Sequence, residues 1–345
     1  MNKLILYTVL LPALLVMLSG CADKSYSFDF TEINTPGSSS LRAICAIDAN
    51  TLWVSGSQGQ VYLSENGGSD WKAVPVPGCA ETEFRSLHAW NEKRALVFDV
   101  SSQGRAFLTE DAGQSWEQVY TSPQKGAFFN SLKFANEKQG VAISDPVDEQ
   151  VFILRTIDGG ESWKRLENTP LSQEGEINFA ASNTCIEYLP SGDIFIVTGG
   201  SLARMLSSRD HGENWNFVET PVISGPSAGL FSVNFFHRKR GLAVGGDYNE
   251  PEREGVRAIY TKDGGKTWLQ ARNMPAAYRS CVISLGEKLS FALGKTGCDY
   301  SVNGGKDWIF IDSLNYYAGD AVEDGNLLFL AGSDGKVARV AVTRK

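Results

Sequence analysis

The pattern Ser/Thr-x-Asp/Asn-x-Gly-x-x-Trp occurs six times in this 345-residue chain. The copies run from Ser64 to Trp71, Thr109 to Trp116, Thr156 to Trp163, Ser208 to Trp215, Thr261 to Trp268 and Ser301 to Trp308. From ordinary residue usage, one such match is expected on the order of once per 10^5 starting positions. Six copies spaced 40 to 53 residues apart are the signature of a repeat architecture. Each copy reads as a hairpin between two strands. Asp or Asn accepts backbone N–H groups as in an Asx-turn, Gly takes a positive φ, and Trp opens the outgoing strand and packs at the sheet interface. Burying one Trp is worth roughly 4–6 kcal/mol gross, so Trp packing outweighs the turn's hydrogen bonds at ~1 kcal/mol each. One carboxylate per distant hairpin does not converge on a site. The box acids are therefore read as structural, not as metal ligands or catalysts.

Between the boxes the same order recurs. In the first repeat a strand at Leu41–Ile47 is followed by a second at Leu52–Gly56, a third from Gln60 to Leu63, the box, and a fourth at Trp71–Val74. Four short antiparallel strands per unit make a propeller blade. Repeats fall near 41–78, 84–121, 127–168, 176–220, 229–272 and 279–312. Three more strands follow at Ala318–Val322, Leu327–Ala331 and Lys336–Val342, without a seventh box. The unassigned run Tyr26–Phe30, reaching Ile33, is expected to complete this seventh blade as its fourth strand and so remove the open edges. The expected fold is an all-β, seven-bladed β-propeller, a single domain over 26–345. Six blades with loose ends is the weaker alternative, because Leu327–Val342 is too apolar for a tail.

Met1 to Gly20 has the layout of a secretion signal, with Lys3 before an apolar core from Leu4 to Leu18. The run Leu18-Ser-Gly-Cys21 resembles a bacterial lipobox, which implies cleavage before Cys21, acylation of its thiol and attachment to a membrane. Ala22 rather than Asp follows the cysteine. By resemblance to enteric lipoproteins this implies a periplasm-facing protein, at the outer membrane in preference to the inner. Residues 21–25 would be the lipidated cysteine and a short tether. Five other cysteines remain, Cys45, Cys79, Cys185, Cys281 and Cys298. In an oxidising compartment Cys45 and Cys79, both in the first repeat, form a candidate pair, and the odd count leaves at least one thiol free. The cysteines lack metal-ligand spacing, and the histidines at 88, 211 and 237 are scattered, so no metal is expected. A net charge of −8 argues against nucleic acid as a partner. The basic run His237–Arg240 is placed in a turn between strands.

Propellers bind ligands where the innermost strands begin and where second strands turn into third ones. Arg42, Arg85 and Arg279 open innermost strands, and symmetry aims all three at the central channel. Arg105 and Arg204 follow second-to-third-strand loops on the same face. Asp145, Asp148, Glu176, Asp247, Tyr248 and Tyr300 join them, and the long charged loop from Gly245 to Arg257 is read as a lid or docking rim, or else a solvated loop. Guanidinium groups pair with carboxylates in bidentate fashion, so the cluster suits an acidic protein partner or a carboxylate-bearing glycan. The competing account is that each arginine pairs with one of these acids to hold blades together. Lys295-Thr-Gly297 mimics a penicillin-binding signature but has no helix to carry its nucleophile. No cofactor fingerprint is present.

The box resembles the Asp-box, or BNR, repeat of sialidases and related β-propellers. With the lipobox, the arginines that open inner strands, and second-strand endings such as Trp53-Val-Ser-Gly56 and Leu242-Ala-Val-Gly-Gly246, nearly the whole mature chain resembles the photosystem II stability/assembly factor family. The stretches Phe179–Thr184, Ser227–Ser232, Gly245–Tyr248 and Tyr278–Ser280 resemble a bacterial branch found without photosynthesis, whose members are often labelled oxidoreductases. That resemblance implies a monomeric, non-enzymatic scaffold that binds membrane-protein partners through its arginine face. Ser131, Asn178 and Ser232 stand where other inner strands would carry arginine. Resemblance to sialidases implies instead an arginine clamp of Arg42, Arg85 and Arg279, a nucleophile pair of Tyr248 and Glu176, and Asp145 as acid. Leu41-Arg-Ala-Ile departs from the sialidase Arg-Ile-Pro pattern. A polysaccharide-binding module without catalysis is a third reading.

Overall fold

The computed structural model describes residues 26–101, 103–322 and 326–345; Cys21 and the signal segment lie outside the described residues. The fold is all-β, and among the described residues there is no helix. Seven antiparallel sheets stand around a central channel. Their innermost strands are Leu41–Ala46, Phe84–Ala89, Phe129–Phe134, Ile186–Tyr188, Gly225–His237, Cys281–Leu285 and Tyr316–Ala321. Each touches the next, and the seventh touches the first.

The last sheet closes the ring as expected. Tyr316–Ala321, Leu327–Gly332 and Val337–Arg344 form its first three strands, and Tyr26–Glu32 is its outermost. Tyr26 lies opposite Arg344 and Glu32 opposite Ala338, so the two ends of the protein share seven ladder positions. Phe28 anchors this strand edge-on between Phe291 and Tyr300 of blade six, 5.0 Å from each ring.

The six boxes share one hydrogen-bond scheme, and it differs in detail from the expected one. The Ser or Thr hydroxyl accepts the N–H of the box glycine four residues on, at 2.8 Å for Ser64 and Gly68 and 2.9 Å for Thr156 and Gly160. The Asp or Asn side chain accepts the N–H four residues on; Ser115 donates to Asp111 at 2.9 Å. Two consecutive residues take positive φ. The first is Gly67, Ala112, Gly159, His211, Gly264 or Gly304, so a side chain is tolerated there. The second is always glycine, and a Cβ there would strike the preceding blade at Gly113, Gly212, Gly265 and Gly305 and crowd Leu96 at Gly160. At Gly113 it would lie 2.5 Å from Val74, at Gly212 2.6 Å from Leu166 and at Gly265 2.8 Å from Phe195. At Gly68, in blade one, the atom struck belongs to Ile33, just beyond the N-terminal strand. The box tryptophans are less uniformly buried than expected. Trp163, Trp268 and Trp308 are buried, while Trp71, Trp116 and Trp215 are half-buried.

Two further expectations fail here. Cys45 and Cys79 are both free, as are the other three described cysteines. Cys45 lies opposite Trp53 in the inner strand, whereas the carbonyl of Cys79 abuts Gly59 at the opposite end of the blade. Blade four also begins later than its repeat boundary. Glu176–Ile177 is a two-residue strand paired with Gly199–Gly200, and the innermost strand starts only at Ile186.

Two tests follow from the boxes. Gly126 has φ 88° with open space around a would-be Cβ, whereas at Gly305, φ 78°, that atom would strike Leu242. Gly126→Ala should cost about 1–2 kcal/mol from backbone strain alone, and Gly305→Ala about 2–5 kcal/mol because overpacking adds to it. Urea denaturation midpoints compare the two. Burial pushes the Asp263 carboxyl up, but hydrogen bonds from Thr267 and Thr261 outweigh it and hold the group at about 2, below its ordinary 3.8. Its contribution is complete above pH 4 and disappears as pH falls through 2. A carboxyl-detected NMR titration should place Asp263 near 2, and Asp263→Asn should remove that hairpin's share of the acid dependence.

Candidate functional site

Each inner strand begins on the face opposite the boxes, here the entry face. In five blades that beginning carries a β-bulge. The register shifts between Leu41 and Ala43, Phe84 and Ser86, Phe129 and Ser131, Leu230 and Ser232, and Tyr316 and Ala318. A bulge leaves one residue out of the ladder and re-aims its side chain. The extra residues are Arg42, Arg85, Asn130, Phe231 and Tyr317, and all but Asn130 line one pocket at the channel mouth. The positions equivalent to the arginines are therefore Asn130 and Phe231, not Ser131 and Ser232. The serines sit inside the ladder, where the Ser232 hydroxyl accepts the N–H of Val282 at 2.8 Å.

In blade six Arg279 stands where Leu41 stands in blade one, and Ser280 where Arg42 does: a Cβ on Gly294 would meet the Tyr278 carbonyl and the Arg279 Cα as one on Gly56 would meet the Ser40 carbonyl and the Leu41 Cα, and this overturns the placement of Arg279. Side chains alternate along an extended strand, so a one-residue slip reverses which way each points. Tyr278 and Ser280 line the pocket, and Arg279 between them is fully buried away from it. Its guanidinium meets Asp299 at 2.5 Å and donates to the Tyr278 carbonyl at 2.9 Å and the Thr296 hydroxyl at 3.0 Å. Arg204 and Glu176 are likewise a buried ion pair at 2.5 Å, and Glu176 also accepts from Thr198 at 2.7 Å. With its side chain 1% exposed, Glu176 does not line the pocket and forms no pair with Tyr248. Arg105 lies off the channel between blades one and two, bound to Asp99 at 2.6 Å. Asp247 shapes its own loop through Ser227, the N–H groups of Asn249 and Glu250, and Arg253. Burial pushes its carboxyl up, and those bonds outweigh it and hold it below the ordinary range. Asp148 occupies a left-handed turn with Glu149, and Tyr300 packs against Phe28.

The structure thus brings together Arg42, Arg85, Asp145 and Tyr248, and adds residues that the sequence alone did not assign to a site. The pocket has a volume of about 430 Å³ and also draws on Phe128, Phe179, Tyr278, Lys295 and Tyr317. Phe179 and Phe231 stack with centroids 3.9 Å apart, and Tyr248 stands edge-on to both. Arg42 lies over the Tyr317 ring at 4.3 Å and has no hydrogen-bond or ion-pair partner among the described residues. Burial, followed by the nearby Arg85 charge, lowers its affinity for its proton. Arg85 is held by Glu83 at 2.7 Å and the Ala180 carbonyl at 3.2 Å. Burial raises the Asp145 carboxyl above its usual range against hydrogen bonds from Asn130 and the Asn178 N–H.

The pocket floor is the segment Asn178–Thr184, which crosses the channel before blade four begins. The Asn178 carbonyl accepts from Asn130 at 2.5 Å. Ser182 donates to the Ser280 carbonyl at 2.7 Å. Asn183, at φ 62°, donates to the Leu87 carbonyl at 2.7 Å and accepts from the Leu132 N–H at 2.8 Å. This plug separates the pocket from a cavity of about 150 Å³ deeper in the channel, where Lys133 meets Glu187 at 3.3 Å. The signal missed in the sequence was the polar run Ser182-Asn-Thr184, which gives an unsupported segment side-chain partners for the channel walls.

Arg279→Ala should cost about 3–5 kcal/mol by stranding the Asp299 carboxylate in the interior. Replacing both partners with apolar residues, Arg279→Met with Asp299→Leu, should recover most of that in thermal or urea unfolding. A single-variant loss below about 1 kcal/mol would show that the pair is not structural.

The sequence matches no protein-family model and no curated protein. Among solved structures it is similar to YCF48 bound to a D1 peptide, with TM-score 0.68 and 17% identity over 90% of this chain and 96% of that one. It is similar to YCF48 from Cyanidioschyzon merolae, with TM-score 0.66 and 17% identity over 90% and 98% of the two proteins. It also resembles the GH74 xyloglucanase from Xanthomonas campestris, with TM-score 0.64 and 12% identity over 90% of this chain and 53% of that one. At these identities the shared property is the propeller ring itself.

Proposed function

We propose that this protein is a binding scaffold of the cell envelope, anchored through Cys21, monomeric and periplasm-facing, which assists the assembly or stability of a membrane or periplasmic complex. Its pocket takes a carboxylate-bearing peptide segment: a free peptide C-terminus or an acidic side chain flanked by apolar residues. One observation carries this reading. Arg42 presents an uncompensated guanidinium at a pocket whose other charges are Arg85, Lys295 and the single acid Asp145, in a protein of net charge −8. A carboxylate satisfies that group by charge-assisted hydrogen bonds, and the wall of Phe179, Tyr248 and Tyr278 suits neighbouring apolar side chains. The D1 peptide held by a similarly folded YCF48 supports a peptide ligand. The hydrolase alternative is weakened because its Glu176 is consumed by Arg204.

An array of peptides with acidic or free C-terminal ends, followed by fluorescence anisotropy on the retained sequences, tests the proposal. Arg42→Ala should weaken binding about 10- to 100-fold, the usual range for losing a charged hydrogen bond. Arg42→Lys should weaken it less. Equal binding by wild type and Arg42→Ala would overturn the assignment. Hydrolysis of sialosides that disappears in Asp145→Asn would restore the enzymatic reading.

A further inference from the structure

The start of the N-terminal strand and the pocket lie on opposite faces. Tyr26 begins the outermost strand of blade seven opposite Arg344, at the box end of that blade. It borders a groove with Leu285–Leu289, Asn326 and Val342. Tyr26 is five chain steps from Cys21, so an acylated Cys21 holds Tyr26 within roughly 17 Å of the lipid at ~3.4 Å per step. This step rests on the lipid-anchor reading above. The face next to the bilayer is then the box face.

That face is electrically divided. The charged residues at the second and sixth box positions are Glu65, Glu110, Glu161, Glu213 and one cation, Arg209, held by Asp193, in blades one to four, but Lys262, Lys266 and Lys306 in blades five and six. Lys262, Lys306, Arg240 and Lys288 converge on a groove of about 410 Å³ between those two blades, against Phe236 and Tyr260. Arg240 comes from the basic run His237–Arg240, which occupies the turn between the first two strands of blade five. The one carboxylate lining the groove, Glu287, meets Arg240 at 3.4 Å. The three lysines are exposed and form no ion pair among the described residues. Glu287 and Lys288 line both this groove and the one beside Tyr26, so the basic surface is continuous with the point where the tether enters.

We propose that the groove between blades five and six is the membrane-facing surface of the anchored protein and takes anionic phospholipid headgroups. Each cation near an anionic bilayer adds to the attraction, and the acyl anchor supplies the local concentration. The ring then stands with its arginine pocket turned away from the bilayer, toward segments of a partner that project from the membrane.

The mature protein, residues 21–345 with Cys21→Ser, tests the surface without acylation and without the apolar signal segment. It should sediment with vesicles of phosphatidylcholine mixed with phosphatidylglycerol, and lose that binding with phosphatidylcholine alone or at high salt. The triple variant Lys262→Glu/Lys288→Glu/Lys306→Glu should bind the mixed vesicles about tenfold or more weakly. Lys93→Glu/Lys138→Glu, at turns of blades two and three, should bind as the unreversed protein does. Equal sedimentation with both vesicle types, no loss in the triple variant, or tighter binding to duplex DNA than to the mixed vesicles would overturn the proposal. The mass of the wild-type N-terminal peptide reads acylation separately. If Cys21 is unmodified, the anchor fails, and the vesicle comparison still decides the groove.

Discussion

The ring depends on the contact between the last box glycine of each of the first six blades and the element before it. A propeller sheet is apolar on both faces, so each blade is stable only when neighbours cover it on either side. The Asp-box hairpin makes that contact close, because its glycine presents bare backbone to Val74, Leu96, Leu166, Phe195 or Leu242. For blade one the residue in that place is Ile33, supplied by the N-terminal segment. Closure therefore ties the beginning of the propeller to its end. A seventh box is unnecessary because the fourth strand of the last blade arrives from elsewhere.

On that closed ring the entry face is shaped by two departures from the repeat. Bulges at five inner strands turn one side group each out of the ladder, and four of these form the rim of the pocket. The insertion ahead of blade four crosses the channel and gives the pocket a floor. Regular blades alone would leave a through-channel whose polar walls had no common ligand. The same polarity of strands places Tyr26, where the outermost strand of blade seven begins, at the face opposite the pocket.

Arginines at strand openings were legible as a group, and their individual roles were not. Arg42 and Arg85 reach the pocket, while Arg279, flanked by Tyr278 and Ser280, is buried against Asp299. The difference is one position in register: Arg279 takes the place that Leu41 has in blade one, and Ser280 the place of Arg42. Glu176 and Arg204 were each legible as charged residues near the entry face. Their separation of 28 positions concealed that they neutralise each other. The stretches that carried the family resemblance, Phe179–Thr184, Ser227–Ser232, Gly245–Tyr248 and Tyr278–Ser280, do converge at the pocket. Resemblance located them, whereas their hydrophobic and small residues carried no chemical signal of a site.

The sequence by itself determined the propeller, its seventh blade and the way the ring closes. Those properties follow from local turn chemistry and two-residue alternation, which repeat along the sequence and can be counted there. Only the tertiary structure decided which charges remain free. Whether an arginine binds a ligand or a neighbouring carboxylate depends on strand parity and on contacts between residues far apart in sequence, and at closely spaced atoms the nearest opposite charge wins.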